Sequence, residues 1–201
     1  TLTSADVDAA ATKTWTVVGA SSATYGAFTV NAATGIWTYV LDDASAATQA
    51  LKTGDVVTQS YVVRVTDDKG AYADQTVVVT INGTNDVPVV TNAAAALSGT
   101  VTEAGHLDNG TAVAGTPSVS GALTATDVDQ ATGLTWSVVG TPSATYGAIA
   151  VNAATGVWTY TLDNSLAATQ ALKEGEVVTQ TYTVRVTDNF GAFLRKVISC
   201  C

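Results

Sequence analysis

Residues 176–188 read EVVTQTYTVRVTD. In an extended chain Val178, Gln180, Tyr182, Val184 and Val186 share one face, and Thr179, Thr181, Thr183 and Arg185 share the other. Period-two alternation of β-branched and aromatic residues marks a half-buried strand. TVVVTIN (76–82) does the same, with Val77, Val79 and Ile81 pointing one way and Val78 and Thr80 the other. ATYGAIAV (144–151) and TGVWTYTLD (155–163) read as a hairpin around Asn152–Gly156, where glycine supplies the turn. SLAATQAL (165–172) has helical spacing for one or two turns at most. Seven or so short strands per roughly 100 residues is the profile of an immunoglobulin-like sandwich. The expected fold is therefore all-β, as two tandem immunoglobulin-like antiparallel sandwiches.

The tandem arrangement comes from self-similarity. LTATDVDQATGLTWSVVGTPSATYGAIAVNAATGVWTYTLDN from Leu123 repeats LTSADVDAAATKTWTVVGASSATYGAFTVNAATGIWTYVLDD from Leu2, an offset of 123 − 2 = 121. The offset holds without a gap from Trp15 and Trp136 to Asp67 and Asp188. It ends near Phe193, where LRKVISCC replaces ADQTVVVTINGTND. Thr91–Ala96, just after Pro88, is a small-residue stretch and the natural boundary. This gives repeats over residues 1–90 and 91–201. The first is expected to lack a strand equivalent to Leu97–Glu103, and the second most of its closing strand, with Lys196–Ser199 pairing briefly. Near-identical tandem units suit spacers and multivalent surfaces; an enzyme rarely needs one active site twice in succession, so none is expected.

Composition narrows the function further. Hydrophobic residues make up 47% of the 201 residues, enough for packed cores. Eight Lys+Arg against 17 Asp+Glu give a net charge of −9. Such a chain repels nucleic acid phosphates and anionic membrane surfaces. The cysteines are Cys200 and Cys201, adjacent and unable to staple distant segments. No apolar run approaches the roughly 20 residues that span a bilayer, so direct membrane insertion is not expected. The chain opens mid-pattern without a signal peptide, as a piece of something longer would.

The acidic residues gather at strand ends, where loop carboxylates attract hard cations such as Ca2+. They are Asp6, Asp8, Asp42, Asp43, Asp67, Asp86, Glu103, Asp127, Asp129, Asp163 and Asp188, with Asn85 among them. A DxD pair on a strand end puts two carboxylates on one face about 7 Å apart at the backbone. Asp and Asn also start turns without binding anything. Recurrence of the cluster 121 residues later favours the cation.

Together TDVD (126–129), NAATGVWTYTLD (152–163) and NGTNDVPVV (82–90) resemble the VCBS repeat of bacterial RTX-type adhesins and, more distantly, the cadherin repeat. The resemblance implies calcium at a junction formed by Asp42 and Asp43, linker residues Asn85 and Asp86, and Asp127, Asp129 and Asp188. By the same carry-over Glu103 and Asp163 would serve the next junction, and Asp6, Asp8 and Asp67 the preceding one. The linker is one residue shorter between Asn-Asp and Pro than the cadherin form, and Asn164 stands where a second acid would follow Asp163. The resemblance implies a secreted or cell-surface protein of a Gram-negative bacterium, acting as an extender in adhesion and biofilm formation. Its partners would be neighbouring repeats and, through other domains, a surface or matrix ligand. The alternative is a glycan- or protein-binding module appended to a secreted hydrolase. Trp15, Trp37, Trp136 and Trp158 lie in alternating strands and are expected in cores rather than on a sugar platform. His106 is the only histidine and has no evident nucleophile partner.

Overall fold

The computed structural model describes residues 1–5, 7, 12–129 and 133–201. It is all-β, and the chain divides into two compact units, Thr1–Asn85 and Asp86–Cys201. Among the described residues no helix is long and apolar enough to cross a membrane.

Unit 1 has five strands: β1 Lys13–Val17, β2 Gly26–Val30, β3 Trp37–Leu41, β4 Val56–Asp67 and β5 Tyr72–Asn82, with a one-turn helix α1 at Ala46–Gln49. They form one sheet in the order β1-β4-β5 and a hairpin β2-β3. The alternation of β4 drives Tyr61 and Val63 inward, and β5 answers with Val77, while Ile81 is buried outside this cluster. Trp15 and Phe28 complete this core.

Unit 2 contains β6 Val89–Val90, β7 Ser98–Gly99, β8 Gly105–His106, β9 Ala112–Val113, β10 Ser118–Ala122, β11 Ala125–Thr126, β12 Thr135–Val138, β13 Gly147–Val151, β14 Val157–Leu162, α2 Ala167–Gln170, β15 Gln180–Thr187 and β16 Phe193–Cys200. Its two main sheets run β12-β15-β16-β7 and β10-β14-β13. Tyr182, Val184 and Val186 of β15 are all buried, as the alternation requires. They pack with Leu123, Trp136, Ile149, Trp158 and Tyr160.

The hairpin turn is built identically in both units. Asn152 Oδ1 accepts from the N–H groups of Ala154 and Thr155, each at 3.0 Å, and Asn31 does the same for Ala33 and Thr34. Gly156 then takes φ 70°. A Cβ there would sit 2.6 Å from Leu123 O and 2.9 Å from Trp136 Nε1, so glycine is demanded by space as well as by backbone.

Three expectations are revised. The closing strand of unit 2 is not mostly missing: β16 pairs with β15 from Phe193 opposite Thr187 to Cys200 opposite Gln180. The tail keeps the inward positions apolar, so Ile198 and Cys200 are buried where Val77 and Val79 stand in unit 1. Burial, with Cys201 beside it, pushes the Cys200 thiol up to about 11. The opening segment Leu97–Glu103 is a strand only at Ser98–Gly99, with one further bridge from Thr102 to Thr116. The tryptophans also divide. Trp15, Trp136 and Trp158 are buried, whereas Trp37 is half-buried. Unit 2 lays β10 along the outer edge of β14, and the corresponding β3 has no such neighbour among the described residues.

Candidate metal centre

The site is assembled in unit 2 around β11 and the end of β15. Ala125 and Thr126 pair with Val90 and Val89, which brings the Asp127-Val-Asp129 segment beside the entry of the chain at Asp86. The Asp86 N–H donates to Asp129 Oδ2 at 2.9 Å. The Asp129 N–H donates to Asp127 Oδ1 at 3.3 Å. Val128, between them, is 59% exposed. The DxD alternation therefore turns the valine out.

Asp188 is fixed by the loop after β15. Its Oδ1 accepts from the N–H groups of Phe190 at 2.8 Å and Ala192 at 2.9 Å. Gly191 makes this possible with φ 92°. Asp67 holds Lys69 and Ala71 in the same way at 2.9 and 2.8 Å, with Gly70 at φ 90°. The D-x-x-G spacing at 67–70 and 188–191, which the sequence reading did not use, is the pattern from which this loop could have been found.

Asp129 and Asp188 are 8% and 6% exposed, unusual for carboxylates. Asp127 Oδ2 and Asp129 Oδ1 are buried and accept no hydrogen bond among the described residues. Burial, the neighbouring Asp129 carboxyl and the more distant Asp188 charge push the Asp127 carboxyl from 3.8 up to about 6. Buried carboxylate oxygens without donors are costly unless a cation or a proton meets them. Among the described residues no three His, Cys, Asp or Glu side chains converge as a complete set of metal ligands. What converges is the Asp127–Asp129 pair, with Asp188 close enough to act on it electrostatically. Two hard oxygens with unused lone pairs fit part of a calcium shell, the remainder of which carbonyls and water ordinarily supply.

The other expected ligands are placed as follows. Asp42 and Asp43, in unit 1, are exposed. Asp42 Oδ1 caps the Ala44 N–H at 3.2 Å, and Asp43 lends its carbonyl to Gln49 Nε2 at 2.8 Å. The Asn85 N–H is bound to Thr53 Oγ1 at 3.0 Å. Asp6 and Asp8 lie outside the described residues.

Glu103 and Asp163 lie toward the other end of unit 2. Tyr160, near the end of β14, reaches Gln180 at the start of β15, whereas Asp188 follows its end. Gln170 Nε2, which the sequence reading missed, bridges Glu103 Oε1 at 2.9 Å and Asn164 O at 2.7 Å. Asn164, the departure from a second acid, pairs with the Ala104 backbone instead. Asp163 Oδ1 accepts from the Ser165 hydroxyl at 2.6 Å and its N–H at 2.9 Å, which hold the carboxyl below the ordinary range. These bonds describe a turn, and no orphaned oxygen marks Asp163 or Glu103.

A family model for the bacterial cadherin-like domain matches residues 85–198. A search of curated proteins finds no match. Among solved structures the chain is similar to EC1-3 of Drosophila N-cadherin at 16% identity, covering 96% of this chain and 55% of that one, with TM-score 0.40. It is similar to EC22-24 of mouse Cadherin-23 at 18% identity, 94% and 51% coverage, with TM-score 0.43. It is similar to EC21-23 of human CDH23 at 18% identity, 94% and 56% coverage, with TM-score 0.48. The chain thus spans about half the length of these structures.

Proposed function

We propose, on the premise that the chain belongs to the bacterial cadherin-like domain family, that it is a calcium-stabilised extender repeat of a large secreted or cell-surface bacterial adhesin. The reading is carried by one observation: Asp127 Oδ2 and Asp129 Oδ1 are both buried, and neither meets a hydrogen-bond donor among the described residues. Asp127, Asp129, Asp188 and Asp86 would hold the ion, which would neutralise charge that burial otherwise penalises. The tandem repeat at offset 121 supports a spacer, and the acidic composition supports a calcium-rich extracellular setting. The VCBS-type sequence elements extend the proposal to an RTX-type adhesin of a Gram-negative bacterium, engaged in adhesion and biofilm formation through other domains. Neighbouring repeats of the same chain are its proposed partners.

Extracellular sites of this kind bind at about 10⁻⁴–10⁻³ M. At roughly 100-fold excess over Kd, one such site adds about 2.7 kcal/mol. Calorimetric titration of the purified chain with calcium, and melts in calcium and in chelator, test this. Heat of binding together with a raised Tm is expected. Identical melts with no heat remove the calcium part of the proposal.

A further inference from the structure

The outer face of the sheet formed by β12, β15 and β16 carries two arginines side by side. Trp136, Val184, Val186 and Ile198 are buried on the inner face, so alternation turns Arg185 and Arg195 outward. The register sets Arg185 between Ser137 on β12 and Arg195 on β16. Thr183 and Thr187 flank Arg185 along its own strand, and Phe193 precedes Arg195 by two residues on the same face. None of these neighbours is a carboxylate. Among the described residues neither arginine forms a salt bridge.

Unit 1 shows what the equivalent arginine holds. At an offset of 121, Arg64 corresponds to Arg185, Asp74 to Arg195 and Tyr72 to Phe193. Arg64 grips the Asp74 carboxylate with Nε at 2.7 Å and Nη2 at 2.8 Å, and its guanidinium lies 3.6 Å over the Tyr72 ring. Unit 2 keeps the ring and exchanges the carboxylate for a second guanidinium. Arg185 and Arg195 each place Cζ 5.3 Å from the Phe193 ring centroid, within cation–π reach. Arg185 Nε is buried and meets no acceptor among the described residues. Arg185 is half-buried and Arg195 exposed, so the pair is reached from solvent.

This arrangement costs stability. Like charges directly opposed across a ladder repel, and a buried donor without an acceptor adds its own penalty. Local rules are broken in this way at functional sites. One carboxylate brought from outside would answer both guanidiniums, whose planar forks match its two oxygens. The surroundings narrow its source. β15 is a central strand, between β12 and β16, so it offers no open edge to an extended peptide. The net charge of −9 opposes a long polyanion. Phe193, 43% exposed, offers an apolar ring face, and the Ser137, Thr183 and Thr187 side chains beside Arg185 both donate and accept hydrogen bonds. A ring, hydroxyls and a carboxylate clamp together suit a sugar acid. We propose that Arg185, Arg195 and Phe193 form a binding site for a single uronate unit in an otherwise neutral glycan. The site shares no residue with the candidate metal centre, and it gives the repeat a contact along its side in addition to its role as an extender.

The test titrates the full chain with methyl β-glucuronoside at constant ionic strength and follows the amide resonances of β15 and β16. Saturable shifts centred on Arg185, Phe193 and Arg195 are expected. Methyl β-glucoside, which lacks the carboxylate, and acetate, which lacks the ring, should each bind about tenfold or more weakly. Arg195→Asp rebuilds the bridge of unit 1 and should abolish the shifts while the protein melts no lower than its parent. Arg195→Gln removes the second guanidinium without supplying a carboxylate, and should weaken binding about tenfold or more. The proposal is overturned if the glucuronoside gives no saturable shift at these residues, or if Arg195→Asp or Arg195→Gln binds it as the parent does. It is also overturned if methyl β-glucoside, acetate or a hexaglutamate peptide binds as tightly as the glucuronoside.

Discussion

The Asp86 N–H and the Asp129 carboxylate are 2.9 Å apart, and this bond joins the first residue of unit 2 to its DxD segment. It leaves Asp129 Oδ1 buried with no donor of its own. Replacing Asp129 by Asn removes one charge from the pair while keeping an acceptor for Asp86. Calcium affinity of such sites follows the number of charged ligands. Asp129→Asn should therefore weaken calcium binding by about tenfold or more, read by calorimetry, while the chelator-treated protein melts no lower than its parent.

The pH dependence of the calcium-free protein follows from Asp127. Its carboxyl is raised from 3.8 to about 6 in the folded state, chiefly by burial. Between those values the folded chain holds a proton that the unfolded chain has lost, so stability falls as pH rises across the interval. Unit 2 in chelator should be most stable near or below the lower value and should lose that stabilisation by about pH 7. Calcium should oppose the loss, because the ion takes the place of the proton. Asp127→Asn should flatten the chelator profile. A profile that rises from pH 4 to 6 in chelator, unchanged by Asp127→Asn, contradicts the assignment.

How much of this was legible in the sequence depended on the kind of signal. Alternation in 176–188 placed Tyr182, Val184 and Val186 in the core because a strand has one period and two faces. The turn at Asn152–Gly156 was legible from equally local chemistry, the glycine that a tight turn needs. The extent of β16 was not, because LRKVISCC departs from the first copy in identity while keeping Ile198 and Cys200 on the inward face. The half-exposure of Trp37 was not legible either: its own segment matches that of Trp158, and the difference lies in a separate strand, β10. At the candidate site, the aspartates could be read as acids at strand ends. Which oxygens lack donors depends on tertiary contacts such as Asp86 with Asp129.

The departing tail creates a charge conflict that unit 1 does not have. Arg64 lies opposite Asp74 across β4 and β5 and forms a two-pronged bridge at 2.7 and 2.8 Å. The equivalent register in unit 2 sets Arg185 opposite Arg195. Arg185 Nε is buried without an acceptor. Directly opposed like charges destabilise a sheet, and opposite charges contribute roughly 0.2–1 kcal/mol. Arg195→Asp should raise the Tm of unit 2, with less effect in high salt. A melt at or below the parent would show that the two guanidiniums are already accommodated.

Gly121 crosses the ring of Trp158, where a Cβ would come 2.6 Å from Nε1. No side chain fits there without displacing β10 from β14. Gly121→Val should cost about 1–3 kcal/mol, the ordinary range for overpacking. It should also expose Trp158 and shift tryptophan emission to the red. An unshifted spectrum with an unchanged Tm would mean that the strand slides aside without loss.

The same geometry predicts the behaviour of unit 1, whose β3 edge has no neighbour like β10 among the described residues. Trp37 is half-buried, and Ile36, Val40 and Leu41 beside it are 50%, 63% and 42% exposed. Leu2 N already donates to Gly35 O at 3.1 Å, as Leu123 N does to Gly156 O at 2.9 Å, so a chain entering at Leu2 is aligned to run along β3. Open edges of this kind recruit strands from other molecules. The 201-residue chain should therefore self-associate as concentration rises, read by light scattering. Replacing Thr1 with the sequence PSVSGA of residues 117–122 should lay a strand along β3, with its glycine over Trp37 as Gly121 lies over Trp158. Self-association should then fall, unit 1 should melt higher, and tryptophan emission should shift to the blue. A second version with Val in place of that glycine should do none of these. If the unextended chain stays monomeric at high concentration and melts as high as the extended one, the edge of β3 is not the weak point of unit 1.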